Sequence, residues 1–251
     1  MRERIEVGQF VIDDVTYVEV IETLAMAVTT ADARRSPYFA YALHVNGLLH
    51  AGDNSFVDAM RHAQVVYADG MSVVLLARAF GATVVERCAT TDLGHSLIEA
   101  ANMKLGRSLK IALVGGEPGV AERAAEALER EHSIDVVHTS DGFKSDWTNT
   151  CAVLAAVTPD IIFVGMGVPR EMLWCAANAA DLPPSVTVTC GGWFGFLGGA
   201  EKRAPLLVQR VGFEWVWRLA KAPRSLAGRY LRGGVLVAKL LVRSRTHARS
   251  H

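Results

Sequence analysis

Short β-branched runs alternate with longer stretches of helical spacing through most of this chain. Apolar residues recur every three or four positions in 16–30, 52–63, 71–80, 92–103, 119–132, 146–157 and 170–179, which predicts helices there. Between them, 38–45, 65–68, 109–114, 134–139, 161–165 and 185–189 are compact apolar runs bounded by glycine or polar residues and predict strands, and 83–85 is strand-like. Strands alternating with helices of this length build βαβ units, so the pattern predicts an α/β fold with a parallel sheet covered on both faces. Beyond about Pro205 only helical spacing remains, in 206–222 and 223–243. Proline suits the first turn of a helix and not its interior, so two helices are expected to meet at Pro223. The expected organisation is a core over 1–204 and a helical appendage over 205–251.

Charge divides the chain at the same place. The 26 Lys+Arg and 26 Asp+Glu cancel overall, yet residues 1–200 hold 14 basic and 24 acidic side chains while 201–251 hold 12 and 2. Such asymmetry points to a tail that meets something anionic. A hydrophobic fraction of 51% excludes general disorder and supports one sizeable core. Cys88, Cys151, Cys175 and Cys190 match neither a zinc spacing nor a disulfide framework, so reduced thiols in a cytosolic protein are expected. No apolar signal segment opens the sequence. The run 235–242 is interrupted by Lys239 and is too short to cross a bilayer.

In an open parallel sheet, ligands gather at the loops that follow the strands. LVGGEPG puts Gly115 and Gly116 in a tight turn before a helix, which fits either a nucleotide or sugar-nucleotide contact or a purely structural turn; Asp135 follows at the distance of a ribose ligand in dinucleotide folds. YADG delivers Asp69 at a strand end, either as a general base or as a helix cap. LHVNG offers His44 and Asn46, as pocket residues or as turn and cap residues. Arg87 stands among small polar residues, where it suits a phosphate or carboxylate, or a surface ion pair. GMGVPRE, with Gly167 and Glu171, and TCGGWFGFLGG, with Gly191 and Gly192, form a glycine and aromatic pair of loops fit to wall a sugar or ring, or to pack beneath the terminal helices.

The absence of DxD, GxxxxGK[ST], HExxH and GxSxG leaves no motif-held metal for a diphosphate and removes P-loop, zincin and α/β-hydrolase readings. From Trp215 onward nine Lys or Arg occur without an acid, interleaved with leucines, valines and aromatics. That composition fits attachment to an anionic leaflet or a solvated helix face docked on the core. No stacking-sheet motif accompanies it, so no nucleic-acid partner is expected.

Taken in order, HVN, YADG, ER followed by TTDL, LVGGEPGVAE, DGF, PDIIFVGMGVPREMLW, GGWFGFLGG, KRAP and EWVWRL resemble the WecG/TagA/CpsF family of bacterial glycosyltransferases over roughly residues 40–232. The resemblance implies a Rossmann-like core that binds a UDP-sugar, no cofactor or metal, and a C-terminal helical appendage that meets the cytoplasmic face of the membrane and helps close the site. It also implies an inverting transfer of N-acetylmannosamine, its uronic acid or glucose to a polyprenyl-diphosphate-linked saccharide. Asp69 then matches the general base, Asn46 a pocket residue and Arg87 a donor-side arginine. His44, Gly115, Gly116, Gly167, Glu171, Gly191 and Gly192 are the further substrate-binding candidates, and Arg218, Arg224 and Arg229 would stabilise the departing UDP. Departures are His44 for a frequent Thr, Glu171 for a usual Gln, Gly195 for a usual Asp, and Ser225 and Gly228 at two frequently basic tail positions; they bear on the sugar more than on the reaction class, because Asp69 and Arg87 remain. Association with further copies of the chain stays open. The rival readings are a nicotinamide-dependent oxidoreductase using the GGEPG loop, and a lipid- or RNA-binding module.

Overall fold

The structure is a computed structural model that describes residues 3–144, 146–199, 216, 219 and 223–247, with side chains left out at 32, 223–226, 229 and 245–247. A hairpin, β1 (Arg4–Val7) and β2 (Phe10–Asp13), leads into α1 (Tyr17–Thr29). There follow β3 (Tyr38–Leu43), a single turn α2 (Val45–Leu48), α3 (Asn54–Met60), β4 (Val65–Ala68), α4 (Met71–Ala79), α5 (Thr90–Leu105) and β5 (Leu109–Gly115). Next come α6 (Val120–Glu131), β6 (Ile134–Ser140), α7 (Thr148–Val157), β7 (Ile161–Gly165), α8 (Arg170–Ala177), β8 (Val186–Thr189) and a short α9 (Trp193–Leu197). The last described element is α10 (Pro223–His247).

Six strands form one sheet in the order β4-β3-β8-β7-β5-β6, every pairing parallel. The strands VVYA and IIFVG are buried along their whole length because helices cover both faces, which is why they read as continuous apolar runs. One apolar layer packs the hairpin, α3, α4, α7, α8 and α10 against the sheet; the other packs α1, α5, α6 and α9. The expected α/β class and parallel sheet are therefore the observed ones. All four cysteines are buried thiols. Among the described residues no helix is long and apolar enough to cross a membrane.

The differences from the expected pattern have local causes. The spacing predicts no element before residue 16, yet Ile5, Val7, Phe10 and Ile12 alternate into the core across a turn at Gly8, whose φ is +66°. The buried Asp13 carboxylate accepts from the Val66 N–H at 2.7 Å and from Arg4 at 3.2 Å, tying the hairpin to β4. Residues 83–85 are not a strand. The amides of Thr83 and Val84 donate to the Asp14 carboxylate at 2.7 and 3.1 Å, so a side chain satisfies them in place of a ladder.

The helix at Pro223 begins where the proline placed it. The expected helix 206–222 lies outside the described residues, except Val216 and Leu219, which are helical.

Candidate active site

The C-terminal ends of β4, β3, β8 and β7, consecutive in the sheet, open into a cleft of about 680 Å³. Its walls include His44, Asn46, Asp69, Arg87, Gly167, Gly191 and Gly192 from the core, and Tyr230, Gly233, Gly234 and Val237 from α10. Seven candidates scattered over 149 positions of sequence thus meet at one place.

Each is delivered by a specific backbone arrangement. Asp69 directly follows β4, its N–H bonded to the Leu43 carbonyl of β3 at 2.8 Å. Its carboxylate is not the cap of α4. That position is held by Gly70, which has φ +124° and offers no side chain, and the acid lines the cleft instead. Thr90 Oγ1 donates to Asp69 Oδ2 at 3.4 Å, and the Tyr67 hydroxyl lies 3.0 Å behind Thr90. Burial drives the Tyr67 pKa well above its ordinary value, so this relay presents hydroxyl donors to the carboxylate.

Arg87 belongs to an extended stretch between α4 and α5. The Cys88 N–H donates to the Ala68 carbonyl at 2.8 Å and thereby sets Arg87 beside the end of β4. His44 caps α2, its Nδ1 accepting from the Asn46 N–H at 3.2 Å, and it also lines the cleft, so capping does not take it away from the cleft wall.

Two groups of candidates lie apart from the lining of the cleft. Glu171 is not at the cleft surface: it is 1% exposed, and its Oε2 accepts from the Gly167 and Gly191 N–H groups, each at 3.0 Å. It joins the two glycine loops from below. Burial raises its carboxyl to about 7 from 4.5; the bonds from Gly191, Gly167 and Met166 oppose the rise, and the nearby Asp69 charge adds to it.

Gly115 and Gly116 do not line the cleft either. A Cβ at Gly115 would sit 2.3 Å from the Gly165 carbonyl oxygen, and the Gly116 N–H donates to that same oxygen at 2.8 Å. The glycines permit two backbones to touch, which is the structural-turn reading. Asp135 pairs with Lys110 near the start of β6, at the opposite end of the sheet from the cleft, so the ribose contact of a dinucleotide fold is not formed.

That the appendage helps close the site is what the resemblance implies; the α10 residues that line the cleft, Tyr230, Gly233, Gly234 and Val237, are not among the sequence candidates. Their signal is the Gly233–Gly234 pair inside a helical pattern. A Cβ at Gly233 would lie 2.8 Å from Val45 Cγ2, so the missing side chain lets α10 close on α2. Arg218 lies outside the described residues, as do the side chains of Arg224 and Arg229.

The cleft therefore joins a carboxylate held by hydroxyls, a guanidinium, an amide side chain and glycine-rich walls, an arrangement suited to removing a proton beside a negatively charged leaving group. A family model described as the glycosyl transferase WecG/TagA/CpsF family matches residues 5–251. Among curated proteins, the N-acetylglucosaminyldiphosphoundecaprenol N-acetyl-beta-D-mannosaminyltransferase of Bacillus spizizenii is 31% identical over 162 residues, which cover 64% of this chain and 62% of the relative. The protein of the same name in Bacillus subtilis is 28% identical over 172 residues, 68% of this chain and 66% of the relative. The chain thus matches somewhat less than two thirds of the length of each relative.

Proposed function

We propose, because this chain belongs to the WecG/TagA/CpsF family of glycosyl transferases, that it is an inverting, metal-independent enzyme transferring an N-acetylmannosamine-type sugar from UDP to a polyprenyl-diphosphate-linked saccharide. The observation that carries the reading is the convergence of Asp69, Asn46 and Arg87 in one cleft that α10 helps to wall. The names of the two relatives favour N-acetylmannosamine over its uronic acid or glucose, and N-acetylglucosaminyl-diphospholipid as acceptor.

On this reading Asp69 takes the proton of the acceptor hydroxyl as that oxygen forms a bond to C1 of the donor. The bond from C1 to the β-phosphate oxygen breaks on the opposite face, and its electron pair leaves with UDP. Arg87, together with arginines of the appendage, supplies positive charge to the diphosphate as its negative charge develops. The sequence has no DxD on which a metal would do this.

The test is UDP release from a panel of UDP-sugars with a soluble prenyl-diphosphate N-acetylglucosamine acceptor in EDTA. Turnover with UDP-N-acetylmannosamine and a β-configured product are expected; no release with any donor sinks the reading. Arg87→Ala is expected to lower kcat/KM by about 30- to 150-fold, the equivalent of about 2–3 kcal/mol of charged hydrogen bonding, with Arg87→Lys only partly restoring it. Equal kinetics for wild type and Arg87→Ala would remove this arginine from the site.

The proposed location is the cytoplasmic face of the membrane, reached peripherally. In support, Leu231, Val235 and Val242 of α10 are 72%, 48% and 65% exposed. At about 100° per residue they fall within about 40° of one another on the helix, with Arg232, Lys239 and Arg243 along one flank. The double variant Lys239→Ala, Arg243→Ala is expected to bind anionic vesicles about 30-fold more weakly at low salt, from about 1 kcal/mol per basic group, while turnover on a water-soluble acceptor is retained. Co-sedimentation unchanged by the double variant would count against the leaflet contact.

A further inference from the structure

A second polar cluster lies outside the cleft. His95 stands on the second turn of α5, while Glu131 is the last residue of α6 and His132 its C-cap. His95 Nδ1 is 2.9 Å from His132 Nε2 and 3.6 Å from Glu131 Oε2, and all three ligand atoms lie within 4.8 Å of one another. Both rings are half-buried and the carboxylate is exposed.

Two ring nitrogens at hydrogen-bond distance require a hydrogen on one and a lone pair on the other, and the carboxylate adds a second acceptor directed at the same His95 nitrogen. A cation between the three atoms engages all of them as lone-pair donors. The place suits positive charge for an independent reason: it is the C-terminal, negative end of the α6 dipole. Metal–nitrogen bonds of about 2.1 Å with the nitrogens 2.9 Å apart enclose an angle of about 90°, the geometry of a five- or six-coordinate ion, and widening by about half an ångström gives the tetrahedral angle of zinc. The exposed side leaves room for water as the remaining ligands.

We infer that His95, Glu131 and His132 form a binding site for a divalent transition-metal ion of the imidazole-preferring class, Zn²⁺, Co²⁺ or Ni²⁺, distinct from the sugar-transfer cleft. Its role follows from its neighbours. The His95 ring meets the Trp193 indole edge to face, with centroids 5.4 Å apart and planes at 87°. Trp193 opens α9 directly after the cleft-lining Gly191 and Gly192. A bound ion would therefore fasten the end of α6 to α5 and stiffen the support of that glycine wall, without touching substrate. Sequence spacing conceals the site, because His95 and His132 are 37 residues apart.

The full-length protein, stripped with EDTA and dialysed, is titrated with Zn²⁺ by calorimetry and with Co²⁺ by its visible absorption. One equivalent per chain is expected, with imidazole-type Co²⁺ bands. A concentration of Zn²⁺ about 100 times Kd should raise Tm by about 5–10 °C. His95→Ala, His132→Ala and Glu131→Gln are each expected to weaken binding at least about 10-fold. His95 is packed on Trp193, so His132→Ala and Glu131→Gln, at the helix end, keep the test decisive if His95→Ala does not fold. No stoichiometric binding, or a wild-type affinity in His132→Ala, overturns the site. None of these readouts depends on turnover, so the result stands apart from the fate of the glycosyl-transfer reading.

Discussion

Asp69→Asn is expected to reduce sugar transfer by about 10²- to 10⁴-fold while leaving the fold and the donor KM close to those of the wild type. The substitution is nearly isosteric. The amide oxygen can still accept from Thr90 Oγ1, which lies 3.4 Å from Oδ2, and the backbone N–H keeps its 2.8 Å bond to Leu43. What disappears is the capacity to take a proton. A base that acts only as the acceptor hydroxyl attacks lowers kcat and kcat/KM together, whereas a residue that merely orients the donor raises KM. UDP release measured across donor and acceptor concentrations separates these outcomes. Unchanged turnover in the variant would return Asp69 to a structural role.

Glu171→Gln is expected to make the protein more stable above neutral pH and to flatten its pH dependence. Burial raises the Glu171 carboxyl to about 7 in the folded protein from an ordinary 4.5. The folded state therefore holds this proton over a pH range where the unfolded chain has released it, so the stabilisation is complete below about 4.5 and is lost as pH rises to about 7. Once the group is ionised the cost is about 3 kcal/mol. A glutamine oxygen accepts from the Gly167 and Gly191 N–H groups as the carboxylate does, but carries no charge. Denaturant unfolding at pH 5 and pH 8 should show wild type losing stability between the two and the variant holding it. Parallel pH slopes for the two proteins would contradict this account. Since Asp69 contributes to the rise, Asp69→Asn should also shift the pH at which stability is lost toward lower values.

Asp69 and Glu171 mark the boundary of what the order of amino acids reveals. Strands such as Val65–Ala68 and Ile161–Gly165 are legible to the residue because burial on both faces leaves an unbroken apolar signature. The rule that ligands gather at strand ends then brings His44, Asn46, Asp69, Arg87 and the paired loops to one place. Depth is not legible. Glu171, in the first turn of α8, and Gly115, the last residue of β5, belong to strand-end motifs like the others, yet the first lies under the surface and the second permits backbone contact with Gly165. Neither fact is encoded by local spacing.

Residues 83–85 depart from expectation for a related reason: their composition favours a strand, but their amides are taken by Asp14, which is distant in sequence. The short helices α2 and α9 are hidden by the glycines inside them, which lower helical propensity wherever packing does not override it. The N-terminal hairpin escapes the pattern because its alternation, IEV and FVI around Gly8, runs through strands only four residues long.

The helix α10 presents Tyr230, Gly233 and Val237 to the cleft while its row of Leu231, Val235 and Val242 stands exposed. One rigid rod thus carries both surfaces, and rotating it to improve either would misplace the other. On the proposed function, this coupling bears on rate. Docking on a bilayer fixes the cleft's height and bearing over the leaflet, so encounters with the lipid-borne acceptor occur by lateral diffusion. Rates should scale with the mole fraction of acceptor in the membrane, not with its bulk molarity.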